Sequence, residues 1–222
     1  MRSLIHSVSS RLGLENNVSI SEMKVIFRGC AFGHAISGDS SWCSAFSKQE
    51  LRLIELLEDV DDYFGDAYGR EVNQKAPCPV AHDLVSRIEG IVEGREPTAR
   101  TFLRFSHAGA IKQLISYFGL FDQLNTDLPS SSSSCESDKW DSRSRDWRSS
   151  LISPFSANIQ FILYDCNPSG NSGSRIDYRL LTLLQESPVT VRGCGSEWCP
   201  LDQFLAQYRS SQQCNLKKIC RI

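Results

Sequence analysis

The segment Thr101-Phe102-Leu103-Arg104-Phe105-Ser106-His107-Ala108-Gly109-Ala110 holds the residue in this chain best placed for chemistry. An apolar run ends at His107, and Ala110, Ile111, Leu114, Ile115 and Phe118 then recur at helical spacing as far as Gly119. The pattern predicts a strand over 99–105 and a helix over 108–118, with His107 between them. A helix mouth offers unpaired N–H groups and the positive end of the dipole, so an imidazole there can join them in holding an anion. The competing reading is a core histidine hydrogen-bonded at a strand end. If His107 serves an anion it should be accessible, facing a gap, with the amides of Gly109 and Ala110 close by. Arg104 has the opposite strand parity to 103, 105 and 107 and is not expected to reach the same ligand.

Other chemistry-bearing residues are weaker. Glu55, Glu58, Asp59, Asp61 and Asp62 load one predicted helix with acid, but no calcium-loop spacing or histidine accompanies them, so a solvated face is expected. The four histidines are His6, His34, His82 and His107. His34 has no acid–base partner in sequence, and His82 follows two prolines as a polar helix start. Nine cysteines include no C-x-x-C pair, which argues against zinc. The spacings Cys194 to Cys199 and Cys214 to Cys220 suit small disulfide-closed loops in an oxidising compartment. An odd count leaves a thiol over, and Cys135, in a serine tract, is expected to be that one. Asn17-Val18-Ser19 is a glycosylation sequon, a short match that also arises by chance.

The elements that must position these groups follow from periodicity. Leu4, Ile5, Val8 and Leu12 form a helix stopped at Gly13. Ser47-Lys48-Gln49-Glu50 is a capping box opening the strongest helix, with Leu51, Ile54, Leu57, Val60 and Phe64 on one stripe. A further helix runs near 82–93 with Leu84, Val85, Ile88, Ile91 and Val92 on one face. Residues 128–150, serine-rich and charged, read as an exposed flexible loop. Ile159 to Tyr164 and Arg175 to Gln185 are strands joined by a turn at 168–173, and Pro200 starts a last helix through Leu201, Phe204, Leu205 and Tyr208. Helices, then strand, helix and hairpin, make an α/β class. The expected organisation is an N-terminal helix (1–17), a helical domain (18–98) and an α/β portion (99–222).

With 222 residues the chain can bury a full core, and 41% hydrophobic with 23% charged residues is ordinary for a globular protein. A formal net charge of −2 points to no nucleic-acid partner. No apolar run has membrane-span length, and Met1–Ser10 reads as no signal peptide.

Several segments in register resemble the histidine acid phosphatases, and within them the multiple inositol polyphosphate phosphatase (phytase-like) branch. Leu103-Arg104-Phe105-Ser106-His107-Ala108 is similar to L-R-F-A-H-A-E. Cys30 with Trp42-Cys43-Ser44-Ala45-Phe46 is similar to C…W-C-S-L-F. Leu57-Glu58-Asp59-Val60 with Gly65-Asp66-Ala67-Tyr68-Gly69 looks like L-E-D-L…G-Y-G. Trp147-Arg148, Pro154-Phe155-Ser156-Ala157-Asn158, Phe161-Ile162-Leu163-Tyr164 and Cys166 match W-R…P-F-A-x-N…L-V-L-Y-x-C, and Gly193-Cys194 with Trp198-Cys199-Pro200-Leu201 matches G-C…F-C-P-F. The resemblance implies the histidine phosphatase (phosphoglycerate mutase-like) fold, with a helical domain and an incomplete central sheet. It implies hydrolysis of inositol polyphosphates such as phytate, or of 2,3-bisphosphoglycerate, without a metal or other cofactor, in the secretory pathway. His107 would contact the phosphoryl oxygens, and Cys30 and Cys43 become disulfide candidates.

Two departures qualify it. The family's nucleophile lies in R-H-G-x-R-x-P, and that string is absent from the 222 residues. Gly109 stands where the family carries its proton-donating glutamate, with no carboxylate between Ser106 and Phe121 to replace it. The chain therefore reads as a C-terminal portion inactive alone, or as a non-catalytic phosphatase-like module that binds anions or another protein.

Overall fold

The computed structural model describes residues 2–95, 101–122, 146–167 and 177–220. The serine tract with Cys135 and the turn at 168–173 lie outside these. The described chain forms two compact units, Met1–Leu57 and Glu58–Ile222, divided within one long helix.

The first unit contains helix α1 (Arg2–Arg11), α2 (Ile20–Ser37), a 3-10 turn (Ser41–Ala45) and the first half of α3 (Lys48–Asp66). Gly13, at φ +70°, ends α1 in the left-handed conformation that glycine adopts without strain. Ser19 and Glu22 cap α2 reciprocally. Leu4, Val8, Met23, Phe46 and Ile54 form the core, and a disulfide joins Cys30 to Cys43.

The second unit holds α4 (Glu71–Lys75), α5 (Cys78–Val92), α6 (Ala108–Tyr117), α7 (Ser149–Ile152), α8 (Leu201–Tyr208) and α9 (Leu216–Cys220) with one sheet. In that sheet β1 (Ile159–Asp165) pairs antiparallel with β2 (Tyr178–Leu184), Ile162 opposite Leu181. Along the other edge of β2 lie β3 (Ser187–Val189) and β4 (Trp198–Pro200), both antiparallel. This mixed helix and small-sheet architecture carries the α/β class. Phe118, Phe161, Phe204 and Tyr208 interlock between α6, α8 and β1, with ring centroids 4.8–6.4 Å apart. Among the described residues, no helix is long and apolar enough to cross a membrane.

Four expectations change. Residues 101–107 join no sheet ladder, and Leu103 and Phe105 are 67% and 92% exposed, so the strand predicted over 99–105 is not formed by its described part. Strand-like alternation needs a neighbouring strand to become a strand, and among the described residues none pairs with it. On α3 the buried face shifts by one residue in the last turns: Asp59, Tyr63 and Ala67 are buried while Phe64 is 45% exposed. Residues 146–150 are not an exposed loop, because Trp147 is fully buried and its indole N–H donates to the Asp59 carbonyl at 3.1 Å. The Cys214–Cys220 pairing is also overturned. Cys214 follows a 3-10 turn (Arg209–Gln213) packed on α5 and bonds Cys78 at the start of that helix, with Cα atoms 5.6 Å apart. Cys220 ends α9 as an exposed free thiol, like Cys166. The Cys194–Cys199 bridge forms as spaced.

Candidate functional site

Helix α6 begins where its sequence favours it. Ala108 to Ala110 are small, and Ile111, Ile115 and Phe118 give the inward face. His107 is its N-cap, with extended backbone (φ −126°, ψ 170°) and no side-chain capping bond. Its carbonyl accepts from the N–H groups of Ala110 at 3.0 Å and Ile111 at 3.3 Å. The Ala110 amide is thereby used inside the helix. The amides of Ala108 and Gly109 belong to the first turn, whose N–H groups have no intrahelical acceptor.

The His107 side chain is exposed. It stands at the helix mouth, but not at a sheet edge, since 101–107 is no strand. Its ring folds over the first turn: Nδ1 and Cε1 lie 3.2 Å from the point where a Cβ on Gly109 would stand. The same point is 3.1 Å from Oδ2 of Asp66, near the end of α3. Lys112, on α6 and only 8% exposed, holds that corner, with Nζ 3.2 Å from Asp66 Oδ2 and 2.5 Å from Asp62 Oδ1. Imidazole, carboxyl and first-turn residues therefore meet around Gly109.

Sequence reading reached His107 and Gly109 but not Asp66 or Lys112. Asp66 lies 41 positions before His107, in segment 65–69, which the sequence marks only as part of the family resemblance. The one usable hint was a lysine on the otherwise apolar face of α6, which calls for an acid partner when buried. Arg104 turns to α5 and pairs with Asp83 at 2.7 Å. Arg87, one turn further along α5, lies 4.7 Å over the Phe102 ring, so the approach to His107 is tethered on two sides. His34 bonds Ser40 at 3.0 Å, and His82 is exposed beside Ser86. Asn17 is exposed just before the α2 cap. Of the acidic run on α3, Asp59 is buried, not solvated, and Asp62 serves Lys112. Among the described residues no group of three or more His, Cys, Asp or Glu forms a metal-holding cluster.

Comparison with known proteins adds two findings. A family model described as histidine phosphatase superfamily (branch 2) matches residues 1–181. The chain is 24% identical to multiple inositol polyphosphate phosphatase 1 of Gallus gallus, over 100% of this chain and 49% of that protein. It is 26% identical to the proteins of that name from Drosophila melanogaster (91% of this chain, 40% of that one) and Homo sapiens (86% and 39%). The chain thus spans about half the length, or less, of these curated relatives.

Proposed function

This chain belongs to the histidine phosphatase superfamily, branch 2, and from that membership we propose that it recognises phosphate monoesters of the inositol polyphosphate class through His107. The observation that carries the reading is the exposed His107 ring folded over the first turn of α6. A phosphomonoester is strongly anionic, and its transferring group has to be held by donors already in place. An imidazolium or neutral imidazole N–H and two first-turn amides are such donors. Turnover needs a nucleophilic imidazole clamped by arginines, the task of R-H-G-x-R-x-P in the family. Because the 222 residues lack that string, we expect them to bind the ester without hydrolysing it, hydrolysis requiring that motif in addition. The second reading, a phosphatase-like module without catalysis, is favoured by one observation, Gly109 in place of the family's acid.

Three disulfides among the described residues support a lumenal or extracellular setting, in which Asn17 would be open to glycosylation.

Calorimetric titration of the chain with inositol hexakisphosphate tests the binding. We expect saturable heat at up to millimolar ligand, lost in His107→Ala. No heat from a protein with a cooperative melt would overturn the reading and leave a structural role for His107.

A further inference from the structure

We infer that the guanidinium groups of Arg104 and Arg87 form a second phosphate subsite beside His107, so that the site takes a polyphosphate ester in preference to a single phosphate; the inference rests on the reading of His107 as a phosphate contact. Both arginines share one carboxylate. Arg104 Nη2 donates to Asp83 Oδ2 at 2.7 Å and Arg87 Nε to Asp83 Oδ1 at 3.4 Å, which leaves the trio with one net positive charge. Arg104 also donates from Nη1 to the Leu103 carbonyl at 3.1 Å. Among the described residues it thus spends two of its five N–H groups on protein. Its side chain is 56% exposed, so the others are open to an incoming anion.

His107 follows Arg104 by three residues, and three residues of chain separate Cα atoms by at most about 11 Å. One polyol ring with its phosphates is broad enough to bridge such a span between two long side chains. Strand parity would keep Arg104 from the His107 ligand, but residues 101–107 join no ladder and are not bound by it. The segment is held on α5 instead: Arg87 lies 4.7 Å over the Phe102 ring, and Asp83 grips Arg104. The contacts that hold the segment therefore also gather two guanidinium groups just ahead of the histidine. A guanidinium fork matches two oxygens of one phosphate and keeps its charge wherever the ester is anionic. Asp83 is the competitor, yet exposed ion pairs of this kind are worth little, and a phosphate offers more charge and more acceptor oxygens than a carboxylate. An ester with one phosphate uses His107 and the first turn of α6 alone. An ester with several reaches both places, and its second contact is then intramolecular.

The test is calorimetry on the 222-residue chain with inositol hexakisphosphate, set beside inorganic phosphate followed through the His107 ring-proton shifts in NMR spectra. Arg104→Ala should bind the hexakisphosphate about tenfold more weakly than wild type and inorganic phosphate equally well. Asp83→Asn removes the competing carboxylate and should bind the hexakisphosphate about threefold more tightly. Contacts that merely hold the segment would be loosened by either change, so unchanged or weaker binding by Asp83→Asn overturns the inference. Wild-type affinity of Arg104→Ala for the hexakisphosphate overturns it too, as does an equal loss for both anions. Each of these results leaves the His107 reading intact. Arg104→Gln carries the same expectation as Arg104→Ala should the latter not fold. Absence of hexakisphosphate binding by wild type, or binding that His107→Ala does not weaken, removes the His107 reading and the subsite together.

Discussion

Asp59 shows how much one residue decides in this chain. It is 1% exposed in the middle of α3, and its Oδ1 accepts both the N–H of Ser149 at 2.7 Å and the Ser149 hydroxyl at 2.5 Å. Its own carbonyl accepts the Trp147 indole N–H. Its carboxylate therefore caps the start of α7, while its backbone carbonyl helps seat the buried Trp147 against Tyr63 and Tyr68. Removing the carboxylate takes the acceptor from the Ser149 N–H and hydroxyl, and such losses run to about 1–3 kcal/mol. Asp59→Ala should lower the unfolding free energy, read from urea denaturation, by an amount in that range, and Asp59→Asn, which keeps an acceptor oxygen, by distinctly less. Equal midpoints for the two variants would mean the charge, and not the acceptor, is what matters. In sequence Asp59 is one acid in an acidic run, since the partner that buries it lies 90 positions away. The same distance effect hides Asp66, whose meaning depends on Gly109 and Lys112. His107 was legible because its signal is local: an apolar run, a histidine and a helical repeat.

At the scale of elements, α3 was legible at its start and misread at its end. Ser47 and Glu50 cap each other, Glu50 accepting the Ser47 N–H at 2.6 Å and Ser47 Oγ accepting the Glu50 N–H at 3.2 Å. Arg11 adds an ion pair to Glu50 at 3.0 Å and donates to the Ala45 carbonyl. Burial pushes the Glu50 carboxyl upward, but the bonds from Ser47 and Arg11 outweigh it and hold the group at about 2. Since the folded value lies below the unfolded one, about 4.3, the unfolded chain binds the proton first as pH falls. The stabilisation is full above the unfolded value and is lost on acidification towards about pH 2. The melting-temperature gap between wild type and Glu50→Gln should accordingly be widest above pH 5 and close near pH 2. A gap independent of pH would show that packing, not the charge, carries the effect. Periodicity also located α6, β1 and β2, whose apolar residues repeat inside one element. It failed at 101–105 because the pattern says which residues could face one side and says nothing about a neighbouring strand. Phe64 failed for a related reason: Tyr63 turned inward to meet Trp147, and no feature of α3 alone records that choice.

For the whole molecule, covalent links matter in proportion to the chain they enclose. Cys194–Cys199 closes a separation of 5 residues and Cys30–Cys43 one of 13, so each restrains a stretch already shaped by local structure. Cys78–Cys214 spans 136 residues and joins the start of α5 to the segment after α8. Most of the second unit lies inside that loop, including α6 with His107 and Lys112 and the sheet, while Asp66 lies ahead of it. Cysteine spacing favours the nearest partner, which is why Cys220 looked right for Cys214. The fold instead chose the partner that the packing of the 3-10 turn on α5 had brought within reach. Loop-closure entropy grows with the logarithm of the enclosed length, so the long bridge should contribute about 3–5 kcal/mol and the five-residue one less. Replacing Cys78 and Cys214 together by serine should lower stability by more than replacing Cys194 and Cys199 together, read from urea unfolding of the non-reduced proteins. Inositol hexakisphosphate binding should weaken along with stability in the Cys78/Cys214 variant, because Asp83 of α5 holds Arg104 just ahead of His107. If the short-bridge variant proves the less stable, unfolded-state entropy does not govern these links, and strain relieved or introduced in the native state does.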